Sequence, residues 1–343
     1  MSAPGDSSPP TASSGRARRV GRILLGLVVS AALLVYLFRD VDFHDMALRL
    51  AETRWSLLAA SMALNLAGLW ARSRRWYYLY PPGAHPRHLL NAVVIGYTGN
   101  NLLPLRAGEV LRAYVMTRRG QRLWTTVGTI VVERALDGLA VGLILAYLLL
   151  AVRLPRELRW AAMVFVSIDV ALIAVLAVMA AAPEWCRRLL LAVVRRTVAR
   201  LARRVSDTLD TFNEGLRGVR TPGHLAPIVV WSTVNWLLWA LAAWCALHAA
   251  HLYLPLAASW AVLGFVGLGV SLPSSPGFVG IIQAATVLAL SLFDVPRAEA
   301  LTFSITFHAS QFVPVTLWGL VLLLVEGVNL SEASRPASAP PVA

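Results

Sequence analysis

Lysine is missing altogether: every one of the 31 basic side chains in the 343 residues is arginine. That absence excludes a Walker A phosphate loop, a Schiff-base enzyme and a Ser-Lys dyad, each of which needs the primary amine. Charge of any kind is scarce, at 14% of residues, where a soluble domain carries roughly 25%. With 57% apolar residues, so low a charge content excludes a disordered chain and an ordinary cytosolic domain. Cysteine is nearly absent too. Cys186 and Cys245 stand far apart, so neither a zinc knuckle nor a redox CxxC is available. What remains is an integral membrane protein.

About 20 apolar residues at 1.5 Å rise cross the hydrocarbon core. Runs of that kind occupy residues 20–38, 55–71, 123–151, 160–182, 224–250 and 299–325. The first is read as an uncleaved helix, since it runs into Tyr36, Leu37 and Phe38 without a small-x-small cleavage site. Residues 1–19, rich in Ser, Pro and Gly near the start, are expected to form a disordered cytoplasmic tail, and residues 329–343 another. The membrane domain then covers residues 20–328. The fold class is an all-α polytopic helical bundle, with about six spanning helices plus two interrupted stretches.

Arginines set the orientation, because cytoplasmic loops retain positive charge. Arg16, Arg18, Arg19 and Arg22 precede the first span, and Arg72, Arg74, Arg75 and Arg87 are read as the loop after the second. Arg118, Arg119 and Arg122 follow the first interrupted stretch, and nine arginines lie between 187 and 220. The other loops are balanced in charge. If each interrupted stretch returns to its side of entry, every arginine-rich loop and both termini are cytoplasmic. Trp55, Trp76, Trp124, Trp160, Trp185 and Trp260 fall at predicted span ends, where amphipathic rings prefer to sit. Within residues 183–223, apolar side chains from Leu190 to Val219 recur by threes and fours beneath an arginine-rich face. Two placements fit that amphipathic segment: on an anionic inner leaflet, or packed against the bundle.

The two interrupted stretches, Val93–Arg119 and Leu263–Leu290, carry most of the functional information. The first holds Asn100, Asn101, Pro104, Arg106, Gly108, Glu109 and Arg112; the second holds Pro273, Ser274, Ser275, Pro276, Gly277 and Gln283. Proline removes a helical hydrogen bond and clashes with the preceding turn, so neither stretch is one continuous helix. Each has a Leu-Pro pair (Leu103-Pro104, Leu272-Pro273) with glycine four residues after the proline, at Gly108 and Gly277. A span with a polar centre follows each: Glu133, Arg134 and Asp137 in one case, His308, Ser310 and Gln311 in the other. The pattern predicts two re-entrant hairpins entering from opposite faces in an inverted repeat, the layout that places a binding site at mid-depth. Two full spans per stretch, eight crossings in all, satisfy the same loop charges.

Glu133, Arg134 and Asp137 together cost roughly 8–10 kcal/mol at a helix centre on an insertion scale, so they must turn inward. Arg106, Glu109 and Arg112 are the expected partners, either in a network that only holds the hairpin or in a slot with surplus arginine for a phosphate. The planar guanidinium fork accepts two phosphate oxygens at once. The expected head-group site comprises Asn100, Asn101, Arg106, Glu109, Arg112, Glu133, Arg134, Asp137, Ser274, Ser275, Gln283, His308 and Gln311. Pro104, Gly108, Pro273, Pro276 and Gly277 break the hairpins. Glu133, Asp137 and His308 are conceivable proton carriers, and His308 equally suits an interhelical hydrogen bond. No residue set reads as a nucleophile with its base, and no cofactor, metal or nucleic-acid partner is expected.

With GNNLLPLRAGEVLRAYVM, VVERALDGL and LPSSPGFVGIIQAATVLAL, the chain resembles the lysylphosphatidylglycerol synthase transmembrane region, or flippase-like family, over roughly residues 20–328. The resemblance implies a multi-pass protein of a bacterial or archaeal inner membrane, with lipid translocation as its activity. Asn100, Asn101, Pro104, Arg106, Gly108, Glu109, Glu133, Arg134, Asp137, Pro276 and Gly277 are the positions it carries over. After Glu326 only a short Ser/Pro/Ala tail follows, so synthase activity is not carried over and a lipid-modifying enzyme would be a separate partner. The expected reading is a flippase or scramblase for a phospholipid or polyprenyl-phosphate lipid, with Arg106→Ala and Glu133→Gln stopping transport in an assembled fold. The alternatives are a membrane-embedded transferase on lipid-linked sugars, using Glu133 and Asp137, and a non-catalytic partner of a lipid-modifying enzyme.

Overall fold

A computed structural model describes residues 43–103, 107–151, 156–186, 199–271 and 275–327, with a few isolated positions besides. Most of the first predicted span, both predicted tails, Pro104, Arg106, Pro273 and Ser274 lie outside the described residues. Helix dominates and no strand occurs among the described residues, as an all-α polytopic membrane protein requires.

A short helix, α1 (Phe43–Ala51), leads into α2 (Trp55–Leu79). The first hairpin comprises α3 (Leu89–Leu102) and α4 (Gly108–Arg118), and α5 (Leu123–Ala151) follows it. Next come α6 (Arg156–Ala181), the amphipathic α7 (Ala199–Gly215) and the single turn α8 (Arg217–Arg220). The second half repeats the plan: α9 (Pro222–Ala249), α10 (Leu256–Val270), a 3₁₀ turn (Pro276–Phe278), α11 (Ile281–Ser291) and α12 (Arg297–Val325). Among the described residues, three helices are both long and apolar enough to cross a membrane, over Leu158–Ala181, Pro222–Ala249 and Arg297–Val325. By contrast α3 and α10 are only about 21 and 22 Å long, and α4 and α11 about 16 Å, at 1.5 Å per residue. None of these four alone covers a hydrocarbon core of about 30 Å.

The succession long helix, two short helices around a break, long helix therefore occurs twice, and packing respects it. Helix α2 lies along α9; α3 packs on α12 while α10 packs on α5. Each hairpin thus leans on the last long helix of the other half. Both hairpins close on glycine. A methyl group at Gly108 would overlap the carbonyl oxygen of Gly96, and Gly99 sits against Gly108 at the same crossing. The Gly108 amide donates to Asn100 Oδ1 at 2.9 Å, closing the first hairpin. Gly108→Ala is expected to cost about 1–3 kcal/mol through this overlap, read as a lower melting temperature of the detergent-solubilised chain.

One expectation changes, and one open choice of placement is narrowed. Helix α2 does not stop near residue 71; it continues to Leu79, because the first helix breakers are Pro81, Pro82 and Gly83. Arg72 and Arg75 are therefore not loop residues, and Trp76 is not an interfacial ring: all three are buried. For the amphipathic segment, the part from Ala199 onward packs on α5. A methyl group at Gly215 would meet the Thr125 carbonyl oxygen at 2.5 Å, and Leu216 is fully buried. Residues 189–198, where that stripe begins, lie outside the described residues.

Candidate functional site

Helix α5 supplies the acidic side of the site. Glu133 and Asp137, one turn apart, share a face, and that face meets the C-terminal third of α2 and the start of α4. Arg112 of α4 grips Glu133 with both terminal nitrogens, at 3.1 and 2.7 Å. Arg72 of α2 pairs with both Glu133 and Asp137, and Arg75 reaches Asp137 at 2.7 Å and Glu133 at 3.7 Å. Arg134 bonds Glu109 of α4 at 2.9 Å and lies 3.8 Å from Asp137. The network sets four guanidinium groups against three carboxylates among the described residues. Burial of ions is repaid only by good geometry and further hydrogen bonds, and aromatic faces add to it here. The Arg112 guanidinium lies 4.0 Å over the Trp76 ring, whose Nε1 donates to Thr129 Oγ1 at 3.0 Å; Tyr97 and Trp239 flank Arg72 at 5.7 Å each.

Burial divides the network into a backing and a face. Glu133, Arg75 and Arg72 are 0–1% exposed, and Arg112 is 2% exposed. Arg134 keeps 31% of its side-chain surface, Glu109 21% and Asp137 14%. That face borders a cavity of about 640 Å³. Asn100, Asn101, Glu109, Arg134 and Asp137 line it from the first half, together with Arg72; Gly277, His308 and Gln311 line it from the second. Most of the remaining wall is apolar, from Leu69, Val141, Phe165, Trp236, Phe307 and their neighbours.

The described flanks of the two hairpin breaks, Asn101 and Gly277, come together beside this cavity. Gly277, at φ +67°, and Phe278, at φ +57°, turn the second hairpin through the left-handed region. A methyl group at Gly277 would meet Phe312 at 2.8 Å and the Asn101 carbonyl oxygen at 3.3 Å. Asn101 Nδ2 in turn donates to Thr316 Oγ1 of α12 at 2.8 Å. Other expected site residues are placed behind the wall. Ser275 Oγ donates to the Val279 carbonyl at 3.0 Å, as turn chemistry. Gln283 accepts from the Gly280 amide at 2.7 Å and its Nε2 donates to His308 Nδ1 at 3.0 Å, tying α11 to α12. Pro276 opens the 3₁₀ turn. Arg112 and Glu133 hold the network from behind and do not line the cavity.

Arg72 and Arg75 are not among the site residues expected from sequence. A signal for them is nevertheless present: Asn65, Leu69, Arg72 and Trp76 recur by threes and fours, so the apolar face of α2 runs straight into its arginines.

Comparison with known proteins fits this arrangement. The family described as Lysylphosphatidylglycerol synthase TM region matches residues 23–319. The chain belongs to that family. Its network residues all fall inside the matched region. The chain is also similar to the UPF0104 membrane protein MJ1078 of Methanocaldococcus jannaschii, at 19% identity over 244 residues, which are 69% of this chain and 97% of that protein. No solved structure matches.

Proposed function

We propose that this chain carries the phosphate-bearing head group of a membrane lipid across the bilayer, with the acyl chains remaining in the hydrocarbon. The observation that carries the reading is the cavity of about 640 Å³ lined from both halves, with the exposed edge of an arginine-rich network on one wall. Arg134 and Arg72 border it, and Asn100, Asn101 and Gln311 supply neutral polar contacts. A guanidinium at such a wall binds two phosphate oxygens at once, and its low-dielectric surroundings strengthen the pairing. In this reading the two hairpins dip into the membrane from opposite faces, both termini are cytoplasmic, and the membrane is a bacterial or archaeal inner membrane. The substrate class is a phospholipid or a polyprenyl-phosphate lipid.

The geometry favours transport over a transferase built on Glu133 and Asp137, because each of those carboxylates already faces three guanidinium groups. The test is reconstitution of the full chain into liposomes containing fluorescent phospholipids of anionic and zwitterionic classes and a polyprenyl-phosphate sugar. Accelerated exchange between leaflets for at least one class is expected. Exchange no faster than in protein-free vesicles for every class would remove the proposal.

A further inference from the structure

Helix α6 carries one acidic residue that the arginine network leaves aside. Asp169 stands at the middle of Leu158–Ala181, one of the three stretches apolar enough to cross a membrane. It is only 8% exposed, it lines the same cavity, and among the described residues it forms no ion pair. Its place is made by Gly138 of α5: a methyl group there would overlap the Asp169 carboxylate. The charged and titratable groups sharing the cavity with it are Asp137 and Arg134 from α5, Arg72 from α2, Tyr97 from α3, Glu109 from α4 and His308 from α12. The arginines among them are already held by Glu133, Asp137 and Glu109. A carboxylate at this depth is costly to keep ionised without a cation, and a proton is the smallest cation that removes the cost.

We propose that Asp169 is the proton-coupling residue of the cavity, so that one proton crosses with each anionic head group. The inference rests on the lipid-transport reading and names its energy source. With Asp169 ionised, the described charges of the cavity wall and the network behind it balance, four guanidinium groups against four carboxylates. A proton taken up from solution on an Asp169 oxygen leaves one positive charge in surplus, and that surplus holds a phosphate monoanion. Release of the proton to the opposite side restores the carboxylate, which expels the head group by like-charge repulsion. No other bond forms or breaks, and proton and anion together move no net charge. Glu133 and Asp137 are poorly suited to this role, since protonating either would strand buried arginines.

The experiment uses the full chain in phosphatidylcholine vesicles with a trace of acyl-labelled phosphatidylglycerol, and has two arms. In the first, infrared difference spectra are recorded from about pH 5 to about pH 8 on wild type and on Asp169→Asn. A protonated-carboxyl band that titrates in wild type and is missing in the variant is expected. In the second, the exterior is made one pH unit more acidic than the lumen. One-to-one coupling is expected to shift the labelled lipid toward the inner leaflet by about tenfold in wild type, and not in the variant. Lack of the band at every pH overturns the assignment whether or not lipid moves. Lipid movement indifferent to the gradient in wild type, with the band present, overturns the coupling. Absence of lipid movement with the band present overturns the transport reading and the coupling with it, while leaving Asp169 a proton site.

Discussion

Replacing Glu133 with alanine is expected to cost about 3–5 kcal/mol of stability, the loss expected when one partner of a buried ion pair is removed. Glu133 is fully buried and accepts from Arg112 with both oxygens while also facing Arg72 and Arg75. Removing it takes away the carboxylate that Arg112 holds and leaves Arg72 and Arg75 to share Asp137, and a buried charge that has lost its partner is far more costly than a missing contact. Glu133→Gln keeps the shape and loses the charge, so these contacts predict that it weakens the fold as well, where the sequence alone predicts an assembled, inactive variant. Thermal unfolding of the solubilised protein gives the measurement. Adding Arg112→Met to Glu133→Gln should recover part of the loss, because it removes one of the stranded cations. If the double variant is less stable than Glu133→Gln alone, charge balance is not what the network provides.

Arg134→Ala is expected to do the opposite: leave the fold assembled and reduce lipid exchange by roughly tenfold to a hundredfold. That range corresponds to the loss of one charged hydrogen-bonding partner, about 1.5–3 kcal/mol. Arg134 is the most exposed cation of the network and holds Glu109 at 2.9 Å, itself partly exposed, so solvent in the cavity can take over part of that pairing. Arg134→Lys keeps the charge without the planar fork and should restore exchange only in part. Exchange rates in liposomes, normalised to folded protein, decide the matter. Equal rates for wild type and Arg134→Ala would mean that the head group does not pass this side chain.

Much of this protein is legible before folding is considered. The breaks at Pro104–Gly108 and Pro273–Gly277, and the polar centres that follow them, are written in residue types whose backbone preferences are local. The pairing of Glu133 with Arg112 can also be foreseen, since charges placed in an apolar helix must find partners nearby. Arg72 and Arg75 escape such a reading because a count of loop charges treats an arginine after an apolar run as exposed. Nothing in that count knows that α2 continues to Leu79 against the acidic face of α5. Trp76 escapes it for the same reason: an aromatic ring at a span end and one beneath a guanidinium look identical in sequence. Asp169 goes unnoticed because a lone carboxylate in an apolar run has no local partner to draw attention to it.

Residue order alone suffices for the class of the protein, the positions of the two interruptions and the need for its mid-helix charges to turn inward. Those are consequences of local backbone chemistry and of the cost of charge in hydrocarbon. Folding settles the rest: which arginines neutralise which carboxylates, which edge of the network faces the cavity, and that α6 brings Asp169 to its wall. Such pairings join residues as much as 65 positions apart, as Arg72 and Asp137 are, and they depend on how helices cross. Helix crossing is set by where glycines such as Gly96, Gly108 and Gly138 let neighbouring atoms approach, a property of two surfaces together and of neither segment alone.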